Sequence, residues 1–112
     1  MSFLAGCLKA HREPGIKQMP AYVIGHITVK DPEKWAEYRG QVPATLAPWG
    51  GEVVLRGRRI TVLSGEHLYT DTVVIQFPDA AAIAEWYRSP AYQALIPLRS
   101  QAAEMVLISY ES

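Results

Sequence analysis

The chain has 112 residues, enough for one domain with a modest core. Its 11 basic and 11 acidic residues balance, so no excess charge favours nucleic acid or an anionic membrane as a partner. The single cysteine, Cys7, excludes an internal disulfide and any metal site built from several cysteines. A hydrophobic content of 49% with 20% charged residues is ordinary for a soluble globular protein.

Residues 1–18 differ from the rest, with three basic residues and one acidic residue, and Met19-Pro20-Ala21-Tyr22 resembles a natural start. We predict an N-terminal extension over 1–18, outside a single domain over 19–112. Leu4-Ala5-Gly6-Cys7 matches the bacterial lipoprotein cleavage pattern, but only three residues precede it. A signal peptide needs an apolar stretch of about 7–15 residues, so we reject the match and predict a cytoplasmic protein.

The periodicity predicts two strand–helix units and two further strands. Each predicted helix begins after an aspartate that can cap it: Asp31 for the first and Asp79 for the second. We predict strands over 22–29, 52–56, 70–77 and 104–110, a helix over 32–49, a second helix from 79 to 89, a short helix through Tyr92, Leu95, Leu98 and Arg99, and an irregular strand at 60–63. The order is βαββαβ.

Three strand cores are apolar on both faces: residues 53–55, 73–75 and 105–108. An antiparallel sheet with one solvated face should instead alternate polar and apolar residues. Two helices can cover only one face, and the simplest cover for the other is a second copy of the chain. The sequence therefore predicts a homodimer in which the two sheets face each other.

Several short motifs occur together in a fixed order from about Met19 to the C-terminus. They are Ala21-Tyr22-Val23-Ile24-Gly25, Asp31-Pro32, Tyr38, Gly50-Gly51, Arg56-Gly57, Phe77-Pro78 and Trp86-Tyr87-x-Ser89-Pro90-x-Tyr92. Together they resemble the domain-of-unknown-function family numbered 1330. The resemblance implies a ferredoxin-like α+β fold of the dimeric α+β barrel type, and no established reaction. Relatives by fold include cofactor-free monooxygenases, lactone isomerases and haem-degrading enzymes, an analogy that assigns no activity by itself.

Four amphipathic side chains crowd the region around the break at Ser89-Pro90. They are Trp86, Tyr87, Tyr92 and Arg99. Flat apolar surfaces, hydroxyl donors and a fixed positive charge are the mixture that a small-molecule pocket needs, and Tyr38 is expected to line its far side. We therefore predict substrate binding by these five residues. Aromatic residues at helical spacing more often form core, and we favour that alternative for the rings.

His26 is the one histidine on a predicted core strand and is our candidate for a catalytic proton acceptor or donor, also placed at the far side of the pocket. The alternative, which we prefer, is a hydrogen-bonded residue at the dimer interface. Arg56 and Arg99 each need an anionic partner if buried. That partner could be a substrate acid, but we expect an internal carboxylate from Glu52, Glu85 or Glu104.

The chain has no nucleophile motif, no phosphate-binding glycine loop and no flavin or nicotinamide fingerprint. We expect His11 and His67 in mobile segments, so we predict no metal site and no cofactor. Two interpretations remain open. One is an enzyme or binding protein for a small, partly aromatic organic acid, and the other is a non-enzymatic dimeric module.

Overall fold

The computed structural model describes residues 19–112, and the predicted N-terminal extension over 1–18 lies outside the described residues. The strands are β1 (Ala21–Val29), β2 (Glu52–Arg58), β3 (Asp71–Phe77) and β4 (Ala103–Glu111). The helices are α1 (Pro32–Leu46), α2 (Ala80–Arg88), α3 (Pro90–Gln93) and α4 (Ile96–Ala102), with a 3-10 turn over Ala47–Trp49 after α1.

The four strands form one antiparallel sheet in the order β2-β3-β1-β4. The central strand β1 pairs with β3 on one side and with β4 on the other, so Ile24 lies opposite both Val74 and Ile108. Helices follow the first and third strands, which makes the order βαββαβ. The predicted ferredoxin-like α+β fold is confirmed.

The capping predictions are also confirmed. Asp31 Oδ1 accepts hydrogen bonds of 3.1 Å from the backbone N–H groups of Glu33 and Lys34 at the start of α1. Asp79 Oδ1 accepts one of 2.9 Å from Ala82 at the start of α2. These aspartates pair N–H groups that a helix leaves free at its beginning, and so they fix where each helix starts.

Two local predictions are wrong. Residues 60–63 form no strand, because the connection from β2 to β3 has no neighbouring strand to pair with there, and Ile60 is 96% exposed. The single short helix predicted after the Ser89-Pro90 break is two helices, α3 and α4. Pro97 lies in the first turn of α4, where its missing N–H costs no hydrogen bond.

The helices cover only one face of the sheet. Alternate residues of β1 and β3, such as Val23, Ile27 and Ile75, point to the helices and are buried. The opposite set leaves large apolar side chains exposed: Leu55, Val106, Ile108 and Tyr110 are between 37% and 55% exposed. We call this second surface the open face. Among the described residues, no helix is long and apolar enough to cross a membrane.

Candidate functional site

Two aromatic residues around the Ser89-Pro90 break, Trp86 and Tyr92, pack into the core, whereas Tyr87 is exposed. Tyr92 and Trp86 are 0% and 1% exposed, and their ring centroids lie 4.4 Å apart. Tyr38 reaches them from α1 and is also buried. The break itself sets this geometry, because Ser89 Oγ caps α3 by accepting from the Tyr92 N–H at 3.3 Å. The turn therefore directs the Tyr92 ring inward beneath α2.

A chain of hydrogen bonds links three helices beneath these rings. Arg99 Nη1, on α4, donates to the phenol oxygen of Tyr92, on α3, at 2.8 Å. The same oxygen lies 2.7 Å from the phenol oxygen of Tyr38, on α1. The Arg99 guanidinium carbon also lies 5.9 Å from the centre of the Tyr92 ring. Buried polar atoms must be paired to be tolerated, and this chain satisfies both phenols.

The indole of Trp86 has its own partner. Its Nε1 donates to Thr45 Oγ1 at 3.0 Å, and Thr45 in turn donates to the backbone carbonyl of Val42 at 2.7 Å. This second series of hydrogen bonds links α2 to α1 through buried atoms. Trp86 therefore anchors α2 to α1 and also forms part of the wall of a neighbouring cavity.

The pKa values of Tyr38 and Arg99, at the two ends of the first series of hydrogen bonds, are both raised. Burial raises the pKa of Tyr38 well above the ordinary 10.0, and neighbouring Tyr92 raises it further. Tyr38 is thus a neutral phenol at physiological pH and no proton acceptor. Burial lowers the pKa of Arg99, but Tyr92, Tyr87 and Tyr38 outweigh it and leave that pKa raised. Arg99 therefore keeps its charge.

A cavity of about 340 Å³ lies between the helices and the β4 side of the sheet. It is lined by Val23, Ile83, Ala84, Trp86, Tyr87, Arg99, Met105, Leu107, Ile108 and Ser109. We call it the Arg99 cavity. Its walls are mostly apolar, and its polar groups are the Arg99 guanidinium and the hydroxyls of Tyr87 and Ser109. Its volume lies at the lower end of the range for small-molecule sites.

The structure brings together five of the six residues proposed from the sequence. Trp86, Tyr87 and Arg99 line the Arg99 cavity. Tyr92 accepts a hydrogen bond from Arg99, and Tyr38 is hydrogen-bonded to Tyr92 in turn. Sequence reasoning missed the contribution of β4. Its alternation could have revealed it, because Met105, Leu107 and Ser109 lie two residues apart and therefore share one face of the strand.

His26 does not join this group. It belongs to the set of β1 residues that point to the open face, so the sheet separates it from Arg99. Its ring lies 5.0 Å from that of His67 and 6.3 Å from that of Tyr69, both in the connection from β2 to β3. Its Nδ1 is buried without a hydrogen-bond partner among the described residues. The expected place of His26 at the far side of the pocket is wrong.

The expectation of internal carboxylates for the two arginines is also not met. Arg99 donates to a phenol, and the groups that act on its charge are tyrosines. The groups that act on the charge of Arg56 are Arg39 and Tyr38. Within residues 19–112, no three His, Cys, Asp or Glu side chains are grouped so that they could hold a metal ion.

Solved structures share this fold. The RPA0582 protein of Rhodopseudomonas palustris, of unknown function, aligns with a TM-score of 0.73 at 20% identity, over 86% of this chain and 84% of that one. A dimeric ferredoxin-like protein of unknown function from Thermobifida fusca aligns at 0.61 and 14%, over 92% and 100%. SnoaB, a cofactor-independent oxygenase from Streptomyces nogalater, aligns at 0.60 and 14%, over 84% and 93%. Such identities show the fold alone.

No curated protein matches the sequence. The model of the family described as Domain of unknown function (DUF1330) matches residues 20–112, which is nearly all of the described part of the chain. The chain therefore belongs to the DUF1330 family.

Proposed function

We propose that the protein binds a small, partly aromatic organic acid in the Arg99 cavity, without a metal or nucleotide cofactor. The observation that carries the proposal is one guanidinium at the wall of a mostly apolar cavity. Arg99 is held in place by Tyr92, so its remaining N–H groups are positioned for a carboxylate. Tyr87, which is exposed, supplies a flat surface against which an aromatic ring can pack.

Binding is a better-supported role than catalysis. None of the described residues that line the cavity is a histidine, carboxylate, cysteine or lysine, so the cavity offers no ordinary proton acceptor at neutral pH. Tyr38 cannot supply one, because its pKa is raised. SnoaB, with the same fold, is an oxygenase that needs no cofactor, but its likeness extends to the fold alone. A proton-transfer role for His26 stays a prediction and would belong to the open face.

The binding proposal includes a homodimer joined through the open face. Large apolar side chains exposed there, such as Leu55 and Tyr110 at 55% and 49%, support it. The relative from Thermobifida fusca is described as dimeric. The Arg99 cavity lies on the helix side of the sheet, so two sheets packed face to face would leave room for a ligand in each subunit.

The test is a thermal shift measurement with matched acid and amide probes. Benzoate and phenylacetate should raise the melting temperature of the full chain, whereas benzamide and phenylacetamide should not, because a ligand stabilises the folded state only in proportion to its binding. Arg99→Gln should remove the difference between acid and amide. The matched control is Arg88→Gln, which changes an exposed arginine of α2 outside the cavity.

Equal shifts with acid and amide probes would contradict a charged recognition site. The absence of any shift with all four probes, in a correctly folded dimer, would favour the alternative of a non-enzymatic structural module.

A further inference from the structure

A second cavity lies at the other end of the helix layer. It has a volume of about 150 Å³ and is lined by Ile27, Trp35, Arg39, Arg56, Gly57, Arg58, Asp71 and Thr72. We call it the arginine cleft. It shares no lining residue with the Arg99 cavity. Arg56 is paired in register with Val73, whose side chain is buried towards the helices, so the cleft opens on the helix side of the sheet.

The cleft carries an excess of positive charge. Three arginines line it, against one carboxylate. Arg58, on β2, is the register partner of Asp71, on the neighbouring strand β3, so the two opposite charges can offset each other. The lining then offers no second carboxylate to Arg39, from α1, and Arg56, from β2.

The two remaining arginines act unfavourably on each other. Burial lowers the pKa of Arg56, and the charge of Arg39 lowers it further, while only Tyr38 acts in the opposite direction. No carboxylate is among these groups. Both side chains are exposed, so solvent screens much of this repulsion, and an anion between them would relieve what remains.

We propose that the arginine cleft binds a small tetrahedral oxyanion such as phosphate between Arg39 and Arg56. Guanidinium groups present paired N–H donors that match oxyanions, and two of them approaching from different elements can hold one ion from two sides. The volume suits such an ion, because pockets for larger organic ligands begin at about 300 Å³. Trp35 is only 8% exposed and forms an apolar part of the wall.

This site is independent of the proposed organic-acid site and of the dimer. The two cavities have no lining residue in common, so Arg99 variants should not alter phosphate binding. The cleft lies on the helix side, so two sheets packed through the open face would not cover it.

The test is isothermal titration calorimetry of the full chain with sodium phosphate, at constant ionic strength set by sodium chloride. Arg39→Gln and Arg56→Gln should each raise the dissociation constant about tenfold or more, the effect of losing one charge-assisted contact. Arg88→Gln, the same change on an exposed part of α2, and Arg99→Gln should leave it unchanged.

A second measurement separates binding from a structural role. In phosphate-free buffer, Arg39→Gln and Arg56→Gln should melt at or above the wild-type temperature, because each removes a like-charge repulsion, and phosphate should no longer raise it. The proposal is overturned if the wild type shows no saturable binding up to about 10 mM phosphate. It is equally overturned if Arg88→Gln weakens binding as much as the two cleft variants do.

Discussion

The phenol oxygens of Tyr38 and Tyr92 lie 2.7 Å apart and join helices whose contacting residues are 54 positions apart in the sequence. Tyr92 also accepts from Arg99, so one buried hydroxyl connects α1, α3 and α4. Tyr92→Phe removes both hydrogen bonds and leaves the buried Tyr38 hydroxyl without its Tyr92 partner. The free energy of unfolding should fall by about 1–3 kcal/mol. Tyr38→Phe leaves Arg99 paired with Tyr92 and should cost less. Urea denaturation measures both.

The double variant Tyr38→Phe/Tyr92→Phe tests whether the two hydroxyls act as a pair. Its loss of unfolding free energy should be smaller than the sum of the single losses, because no buried hydroxyl is left unpaired. Additive losses would show that the two phenols stabilise the fold independently.

Alkaline pH should destabilise the protein through Tyr38. Its pKa in the folded state is raised above the ordinary 10.0, so the folded protein holds a proton that the unfolded chain releases. The stabilisation is complete below pH 10.0 and is lost progressively as the pH rises above that value. Tyr38→Phe should show a shallower fall in the free energy of unfolding above pH 10.0 than the wild type.

Trp86→Ala and Arg99→Ala should have different effects. The first empties a fully buried site and should cost about 3–5 kcal/mol of unfolding free energy. The second removes a half-buried charge and one hydrogen bond, and should cost only about 1 kcal/mol. Trp49→Ala, at a partly buried position outside this corner, controls for the loss of a large ring. If Arg99→Ala costs as much as Trp86→Ala, Arg99 is mainly a structural residue and the cavity loses its charged end.

In light scattering at micromolar concentration, the full chain should have twice its monomer mass of 12.5 kDa. Val106→Asp places a charge on the open face and should shift the mass towards the monomer, since burying an unpaired carboxylate in an apolar interface is costly. Ala81→Asp, on an exposed position of α2, should leave the mass unchanged. A wild-type mass of a single chain would refute the proposed assembly.

The folding unit is proposed to be residues 19–112. The family match begins at residue 20 and the first strand begins at Ala21. Removal of residues 1–18 should therefore leave the thermal midpoint and the dimer mass unchanged. A clear loss of stability in the truncated chain would show that the extension packs on the domain.

The fold was accessible from the sequence because its signals are local. Asp31 and Asp79 mark helix starts through side-chain capping, and Gly50, with φ of 72°, ends the helical segment in a conformation that favours glycine. The density of β-branched residues in β1 and β3 indicates strands. Each of these effects acts within a few residues, so no knowledge of tertiary structure was needed.

The site was only partly accessible, because its contacts are distant in sequence and follow no period. The connection from β2 to β3 brings His67 and Tyr69 against His26, with Arg59 Nη1 donating to the His67 carbonyl at 2.9 Å. The spacing of these residues in the sequence does not predict that contact. The same holds for Arg99, whose partner proved to be the phenol of Tyr92 rather than a carboxylate.

Successive residues of β1 belong to different surfaces of the molecule. Val23 and Ile27 turn towards the helices, and Ile24 and His26 turn towards the open face. Residues that are neighbours in sequence can therefore change independently, one set altering the proposed binding cavities and the other altering the proposed dimer interface. A deep mutational scan of this strand should separate into two interleaved classes of phenotype, and new ligand preferences could be engineered or evolve at odd-numbered positions without a change of assembly.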